Sequence, residues 1–294
     1  MAGCYLPADV FARYLRAHGD EVAFICGSDD YGVPTSLTAR KEERTPREVA
    51  DFYRAAQKAD FDGLGMSFDI YSGTSATEIH TAVSQHFFTA LLEKGHLEKR
   101  TTEQLYDPQA GMFLPDRYVE GTCHHCGTGG ARGDQCEACG KTIDPALLIQ
   151  PKSVVTGATP EVRETVHWFF RLPDFEERLR EWIGSHEEWR PMVRNFSLGL
   201  LEQGLPVRAI TRDLEWGIPV PLPDDPDAEG KVLYVWFDAP IGYISFTEQW
   251  CRDRGGEEGD YERWWKDPDC RIVHFIGEDN VVFHALIWPS MLMG

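Results

Sequence analysis

The chain has 294 residues, a mass of 33.4 kDa, and 42% hydrophobic against 26% charged residues. That is enough apolar material for a sizeable core and excludes a disordered polymer; at roughly 150 residues per domain, about two domains are expected. The balance of 29 Lys+Arg against 48 Asp+Glu gives a net charge of −19, which argues against gripping nucleic acid over the whole surface while leaving room for a local basic site.

The longest nearly charge-free apolar run, Val281 to Met293, is broken by His284 and Pro289 and falls short of the roughly 20 residues of a membrane-spanning helix. The first residues, Met1 to Pro7, carry no export or organelle signal, so a cytoplasmic, reducing location is expected. There, scattered Cys4, Cys26, Cys251 and Cys270 read as free thiols, whereas the clustered Cys123, Cys126, Cys136 and Cys139 read as metal ligands.

In chain order, Pro7 to His18 has helical apolar spacing at Val10, Phe11, Tyr14 and Leu15, with Gly19 at the stop. Glu21 to Cys26 predicts a buried parallel strand opening into the polar loop Gly27 to Gly32, the edge at which open α/β sheets bind ligands. Capping boxes predict two helices, one headed by Thr45 and Glu48 and reaching Asp60, the other headed by Ser75 and Glu78 and ending at Lys94-Gly95.

Residues 96–150 lack a long amphipathic segment and read as a small β-rich insertion. Helices are expected over Pro160 to Phe170, Pro173 to Ile183 and Met192 to Leu201, and a turn excursion over 221–230. Two further strands, Val232 to Phe237 and Arg271 to Ile276, then precede a helix over Val281 to Leu292. The succession predicts an α/β fold interrupted by an insertion, with units at 1–95, 96–230 and 231–294.

The strongest local chemistry is Cys123-x2-Cys126-x9-Cys136-x2-Cys139. Two C-x-x-C turns can present four thiolates tetrahedrally to one Zn²⁺, and Gly127, Gly133 and Gly140 permit tight turns. His124 and His125 lie within the first turn, but four cysteines already satisfy the metal. A redox role fits less well, because neither pair opens a helix after a strand. Such a closed site is structural, and 123–140 is expected to form a zinc knuckle. No Walker motif or dinucleotide fingerprint is present.

Several segments together resemble the methionyl-tRNA synthetases of the class I aminoacyl-tRNA synthetases. They are Tyr5 to Tyr14, Phe24 to Gly32, Gln104 to Pro108 with Met112 to Arg117, the cysteine knuckle, Ile210 to Asp213 with Trp216 to Pro219, Tyr234 to Tyr243, and His274 to Gly277 with Phe283-His284. They occur in the family's order over essentially the whole chain.

The resemblance implies a Rossmann-type catalytic domain split by a connective-peptide insertion that holds the zinc. It implies ATP-dependent activation of L-methionine, with Mg²⁺ accompanying ATP, and transfer to tRNA(Met). Asp29 would accept the methionine ammonium. Trp236, Ala239, Pro240, Tyr243, Phe283 and His284 would enclose the thioether, for which polarisable aromatic walls are suited. Such a pocket separates substrates differing by one methylene by only about 1–3 kcal/mol. Gly277 and Asp279 would meet the adenosine, and Arg212 the phosphates or the tRNA end.

From residue type alone, Asp29 also fits a turn former, Arg212 an ion-pair partner, and the aromatic set ordinary core. Glu278 stands where the family most often has Lys. The family's H-I-G-H and K-M-S-K-S elements would precede Met1 and follow Gly294, so the chain is expected to be a fragment needing those segments. The alternative is a non-catalytic methionine-binding or zinc-ribbon interaction protein derived from a synthetase.

Overall fold

A computed structural model describes residues 3–133, 136–141, 143 and 145–294. Helix α1, Tyr5–His18, ends where Gly19 takes φ 94°, a left-handed stop that a Cβ would disfavour. It buries Ala8, Asp9 and Ala12, while Val10 and Tyr14 of the expected apolar stripe stay exposed.

Strand β1, Ile25–Ser28, pairs in parallel with β2, Ile70–Gly73. The predicted strand over Glu21 to Cys26 is therefore shifted: only its last two residues join the ladder. The connection between the strands runs through α2, Val33–Glu42, and α3, Pro46–Gly63. The α3 capping box is formed as predicted, with Thr45 and Glu48 bonding reciprocally. The second box is not. Helix α4, Glu78–Glu93, is capped by Thr77, which accepts from the Ile79 amide, because Ser75 gives its amide and hydroxyl to Asp30 Oδ2 at 3.1 and 2.8 Å.

The middle of the chain is built on two antiparallel sheets. One orders β4, Met112–Phe113, β3, Leu97–Asp107, β8, Glu161–Phe170, and β9, Arg208–Ala209; the other orders β6, Ala131–Arg132, β5, Val119–Thr122, and β7, Ile149–Ser153. The expected helix over Pro160 to Phe170 is thus a strand. Its Val162, Thr165, Val166, Trp168, Phe169 and Phe170 are β-branched or aromatic, and it pairs continuously with β3 from Leu97↔Phe170 to Tyr106↔Glu161. The two helices that follow, α5 (Glu176–Ser185) and α6 (Pro191–Gln203), match the expectation.

The short hairpin of β10, Thr211–Arg212, and β11, Val232–Leu233, leads into α7, Val235–Asp238, a 3-10 turn at Ala239–Ile241, and α8, Gly242–Asp253. Val232 to Phe237 is therefore a strand only as far as Leu233. Its partner β10 is two residues long, so the ladder stops and the chain coils, with the Phe237 amide donating to Tyr234 O at 2.7 Å. Arg271 to Ile276 has no strand assignment either. A strand needs a partner's backbone groups, and among the described residues none pairs with it; Ile272, Val273 and Phe275 are exposed. After α9, Glu262–Trp265, the predicted terminal helix exists as a 3-10 turn, Glu278–Asn280, a π-turn, Phe283–Ile287, and α10, Trp288–Met293.

The main core joins Phe88, Trp168, Phe170, Leu172, Phe237 and Trp288, so β8 shares its apolar side with α7 and α10. A separate small core of Leu114, Tyr118, Val119, Ile143 and Leu148 surrounds Cys123 and Cys136. Helix α8 lies against β1 and β2: Ser72 Oγ donates to Gln249 Oε1 at 2.7 Å, and the face of Gly27 is filled by the Phe246 ring.

Candidate active site and metal centre

The two cysteine turns repeat one geometry. In each, the first Cys carbonyl accepts from a glycine amide in the left-handed region: Gly127 (φ 76°) to Cys123 O at 2.9 Å, and Gly140 (φ 70°) to Cys136 O at 2.7 Å. The amides of Cys123 and Cys136 donate in turn to Thr128 O and Lys141 O, both at 2.9 Å. The four Sγ atoms all lie within 4.8 Å of one another, with Cys126–Cys136 at 3.7 Å and Cys123–Cys139 at 4.0 Å. Four thiolates about 2.3 Å from one tetrahedral ion would be about 3.8 Å apart, so the donor set fits that geometry. His124 and His125 pack against each other, their rings tilted by 44°, instead of joining it.

The second centre forms where β1 ends against α7. Asp29 follows β1 directly, and Gly32 (φ 101°) presses on Val235, whose Cγ1 would lie 3.6 Å from a Cβ there. Asp29 keeps solvent access while protein packs closely around it. Desolvation, helped by neighbouring Asp30, pushes its carboxyl up to about 7. Asp30 is buried and tied down by Arg54 Nη1 at 2.5 Å, Ser28 Oγ and Ser75, while its carbonyl accepts from Trp216 Nε1 at 2.9 Å. Asp238 is wholly buried, and among the described residues neither of its carboxyl oxygens has a hydrogen-bond partner. Desolvation and then Asp29 raise it far above the usual range, and its own amide and that of Ala239 offset this only in part, out of hydrogen-bond geometry.

Trp236 of α7 stacks on Phe283 of the π-turn, with centroids 4.2 Å apart and planes 19° apart. One residue on, His284 meets the Tyr243 hydroxyl of α8 at 2.9 Å. An open cavity of about 340 Å³ is lined by Trp236, Phe283, Arg212, Tyr234, Phe237 and Arg208 among others. The Arg212 guanidinium lies 3.9 Å from the Tyr234 ring centroid, and its Nη1 donates to Thr211 O at 2.7 Å.

A profile of the family described as tRNA synthetases class I (M) matches residues 1–294. The chain belongs to that family. Among curated relatives named methionine–tRNA ligase, those of Rubrobacter xylanophilus and Salinibacter ruber are 49% and 52% identical to this synthetase chain, over all of it but only 50% and 41% of their own length. That of Thermococcus kodakarensis is 50% identical over 39% of its length. The chain thus spans about half the length, or less, of these relatives. A crystal structure of Mycobacterium tuberculosis methionyl-tRNA synthetase bound by methionyl-adenylate matches 98% of the chain and 50% of its own, at TM-score 0.69 and 23% identity. That likeness establishes the fold.

Within this class I chain, the expected residues fall into linked groups. Trp236, Phe283 and Arg212 share the cavity; Tyr243 and His284 are bonded to each other; Ala239 and Pro240 form the turn joining α7 to α8, with Pro240 buried. Asp29 is linked to α7 through its charge, which helps raise the Asp238 carboxyl. Gly277 and Asp279 are exposed at the start of the terminal helical segment and do not line the cavity. A Cβ on Gly277 would come within 2.6 Å of Asp279 Oδ1.

Three participants are not evident from sequence reasoning: Tyr234 under Arg212, buried Asp238, and His274, whose ring lies 4.8 Å from Tyr243 and 5.1 Å from His284. Burial, then His284, pushes His274 down to about 3. Each lies inside a segment that carries the family resemblance, which is the signal that could have found it.

Proposed function

We propose that this chain is the central catalytic part of a methionine–tRNA ligase, which activates L-methionine with ATP to methionyl-adenylate and pyrophosphate and transfers the methionyl group to tRNA(Met). The observation that carries the reading is the 49–52% identity, over the whole chain, to enzymes named for that reaction. Support from geometry comes from the Trp236–Phe283 stack with its neighbouring Tyr243–His284 pair, an apolar, polarisable enclosure with polar atoms at one end, as a thioether requires. A whole-chain fold likeness to a synthetase described with bound methionyl-adenylate accords with it.

In this reading Asp29 takes the substrate ammonium, and Trp236, Ala239, Pro240, Tyr243, Phe283 and His284 enclose the side chain. Arg212 offers positive charge to the phosphates or the tRNA end, the kind of preorganised donor that dominates phosphate chemistry. Gly277 and Asp279 contact the adenosine, and Mg²⁺ comes with ATP. Cys123, Cys126, Cys136 and Cys139 hold one structural Zn²⁺. The catalytic domain comprises 1–95 and 231–294, the insertion 96–230, and the protein acts in the cytoplasm. Among the described residues no helix is long and apolar enough to cross a membrane.

The test is methionine-dependent exchange of pyrophosphate into ATP by the intact gene product. Exchange should appear with methionine, be absent without it, and be abolished in Asp29→Asn. Methionine-dependent thermal stabilisation without exchange would replace the ligase with a binding protein.

A further inference from the structure

Among the residues expected at the reaction cavity, Arg212 is carried on β10, which packs against β8 of the inserted sheet. Along the extended backbone of β10, side chains alternate between two sides. Arg212 points to the cavity, over Tyr234. Its neighbours Thr211 and Asp213 point the other way, into a buried polar knot on β8. The Thr211 hydroxyl meets His167 Nδ1 at 3.0 Å and accepts from the Trp168 amide at 3.1 Å. Asp213 Oδ2 accepts from Thr165 Oγ1 at 2.9 Å and lies 3.2 Å from His167 Nε2, while Oδ1 pairs with Lys231 Nζ. Lys231, itself buried, also donates to Thr165 Oγ1 at 2.8 Å.

We propose that Asp213 is a positioning residue for Arg212: bonded to Lys231, Thr165 and His167, it fixes β10 on the inserted sheet in the one register that turns the Arg212 guanidinium toward the cavity shared with Trp236 and Phe283. The β10–β11 ladder has only two pairs, Thr211↔Leu233 and Arg212↔Val232; upstream, β9 and the Ile210 amide, 2.8 Å from Trp168 O, tie the segment to β8, and Asp213 is the anchor on its downstream side. A slip of one residue would exchange the two sides and put the guanidinium among buried groups. The knot resists this, because breaking it strands charges in a low-dielectric interior. Burial works to raise the Asp213 carboxyl, but hydrogen bonds from His167, Lys231 and Thr165 outweigh it and hold the group below its usual value, so it stays ionised. The inserted sheet thus reaches the reaction cavity through Asp213.

The inference deepens the ligase reading, and one arm of its test rests on that reading while the other does not. In the intact gene product, Asp213→Asn should lower kcat for pyrophosphate exchange by on the order of 10- to 100-fold, as expected for a small misplacement of a charged group. The methionine KM should stay within about twofold, because an interaction specific to the transition state is lost. In an Arg212→Ala background the same change should cost less than about twofold, since residues acting as one unit are not additive. Equal losses in both backgrounds, as general destabilisation would give, or no loss in either, would overturn the proposal.

The second arm needs no activity. Phenylglyoxal labelling read by peptide mass spectrometry should show Arg212 becoming severalfold less reactive in Asp213→Asn, as the guanidinium turns from the open cavity toward buried groups, with exposed Arg100 unchanged as the internal reference; an unchanged or faster Arg212 rate also overturns it. Should Asp213→Asn fail to fold, Lys231→Gln, which leaves Asp213 its two other partners, is read in the same two ways. A wild-type protein without exchange removes the ligase reading, and the labelling still decides the positioning.

Discussion

Tyr243 and His284 are joined by a hydrogen bond whose direction is fixed. His284 Nδ1 lies 3.0 Å from the Asn280 carbonyl, which can only accept, so Nδ1 carries the proton and Nε2 accepts from the Tyr243 hydroxyl at 2.9 Å. Burial keeps both neutral near pH 7, raising the phenol and lowering the imidazole, the latter partly offset by the Asn280 bond. Tyr243→Phe removes the donor and leaves a half-buried acceptor unpaired. A methionine KM raised about tenfold is expected, matching a loss of about 1.4 kcal/mol. Steady-state exchange against methionine concentration checks it.

Trp236 and Phe283 form one wall of the cavity and hold each other in place. Stacked rings contribute about 0.5–1.5 kcal/mol beyond burial, so Phe283→Ala should free the Trp236 indole and weaken methionine binding by at least tenfold. Tryptophan fluorescence titrated with methionine should change on binding in the wild type and lose that change in Trp236→Phe.

Asp29 must be ionised to meet an ammonium group, and its carboxyl is held at about 7. Methionine binding should therefore strengthen as pH rises from 6 through about 7 and level off above, before the ligand's own amine titrates. Isothermal titration in buffers of different ionisation enthalpy should show proton release on binding near pH 6.5, and none in Asp29→Asn. A flat affinity from pH 6 to 8 would contradict this assignment.

Asp238 is raised for a different reason, complete burial without a partner. An acid whose folded-state pKa lies above its unfolded value binds more protons when folded, so it lowers stability as pH rises from the unfolded pKa toward the folded one. Asp238→Asn removes that dependence. The variant should gain stability over the wild type, by a margin that widens as pH rises above the ordinary carboxylate range, in urea unfolding.

The cysteine centre predicts about one zinc per chain by elemental analysis, since one four-thiolate site is complete. Cys123→Ser or Cys136→Ser should lower the metal content and loosen the small core around Tyr118 and Leu148, because both cysteines are buried within it. A thiol-specific mercurial should release the metal from the wild type.

Elements with local signatures were legible in the sequence. The Thr45–Glu48 capping box, the Gly19 stop and the C-x-x-C-G turns each use neighbours a few residues apart, and each formed as expected. Trp236, Tyr243, Phe283 and His284 of the candidate site stood out in the sequence only through the motif segments that carry the resemblance; their pairing across more than 40 residues was not legible there.

Residue order and type determined the four-cysteine cluster and the family. Only the tertiary structure decided which extended segments became strands, because a strand exists through a partner's backbone groups. Glu161–Phe170 found β3 and paired; Val232 to Phe237 met a two-residue partner and coiled; Arg271 to Ile276 has none among the described residues. Asp29 and Asp238 are ordinary carboxylates in the sequence, and dense packing near the end of β1 is what sets their protonation apart.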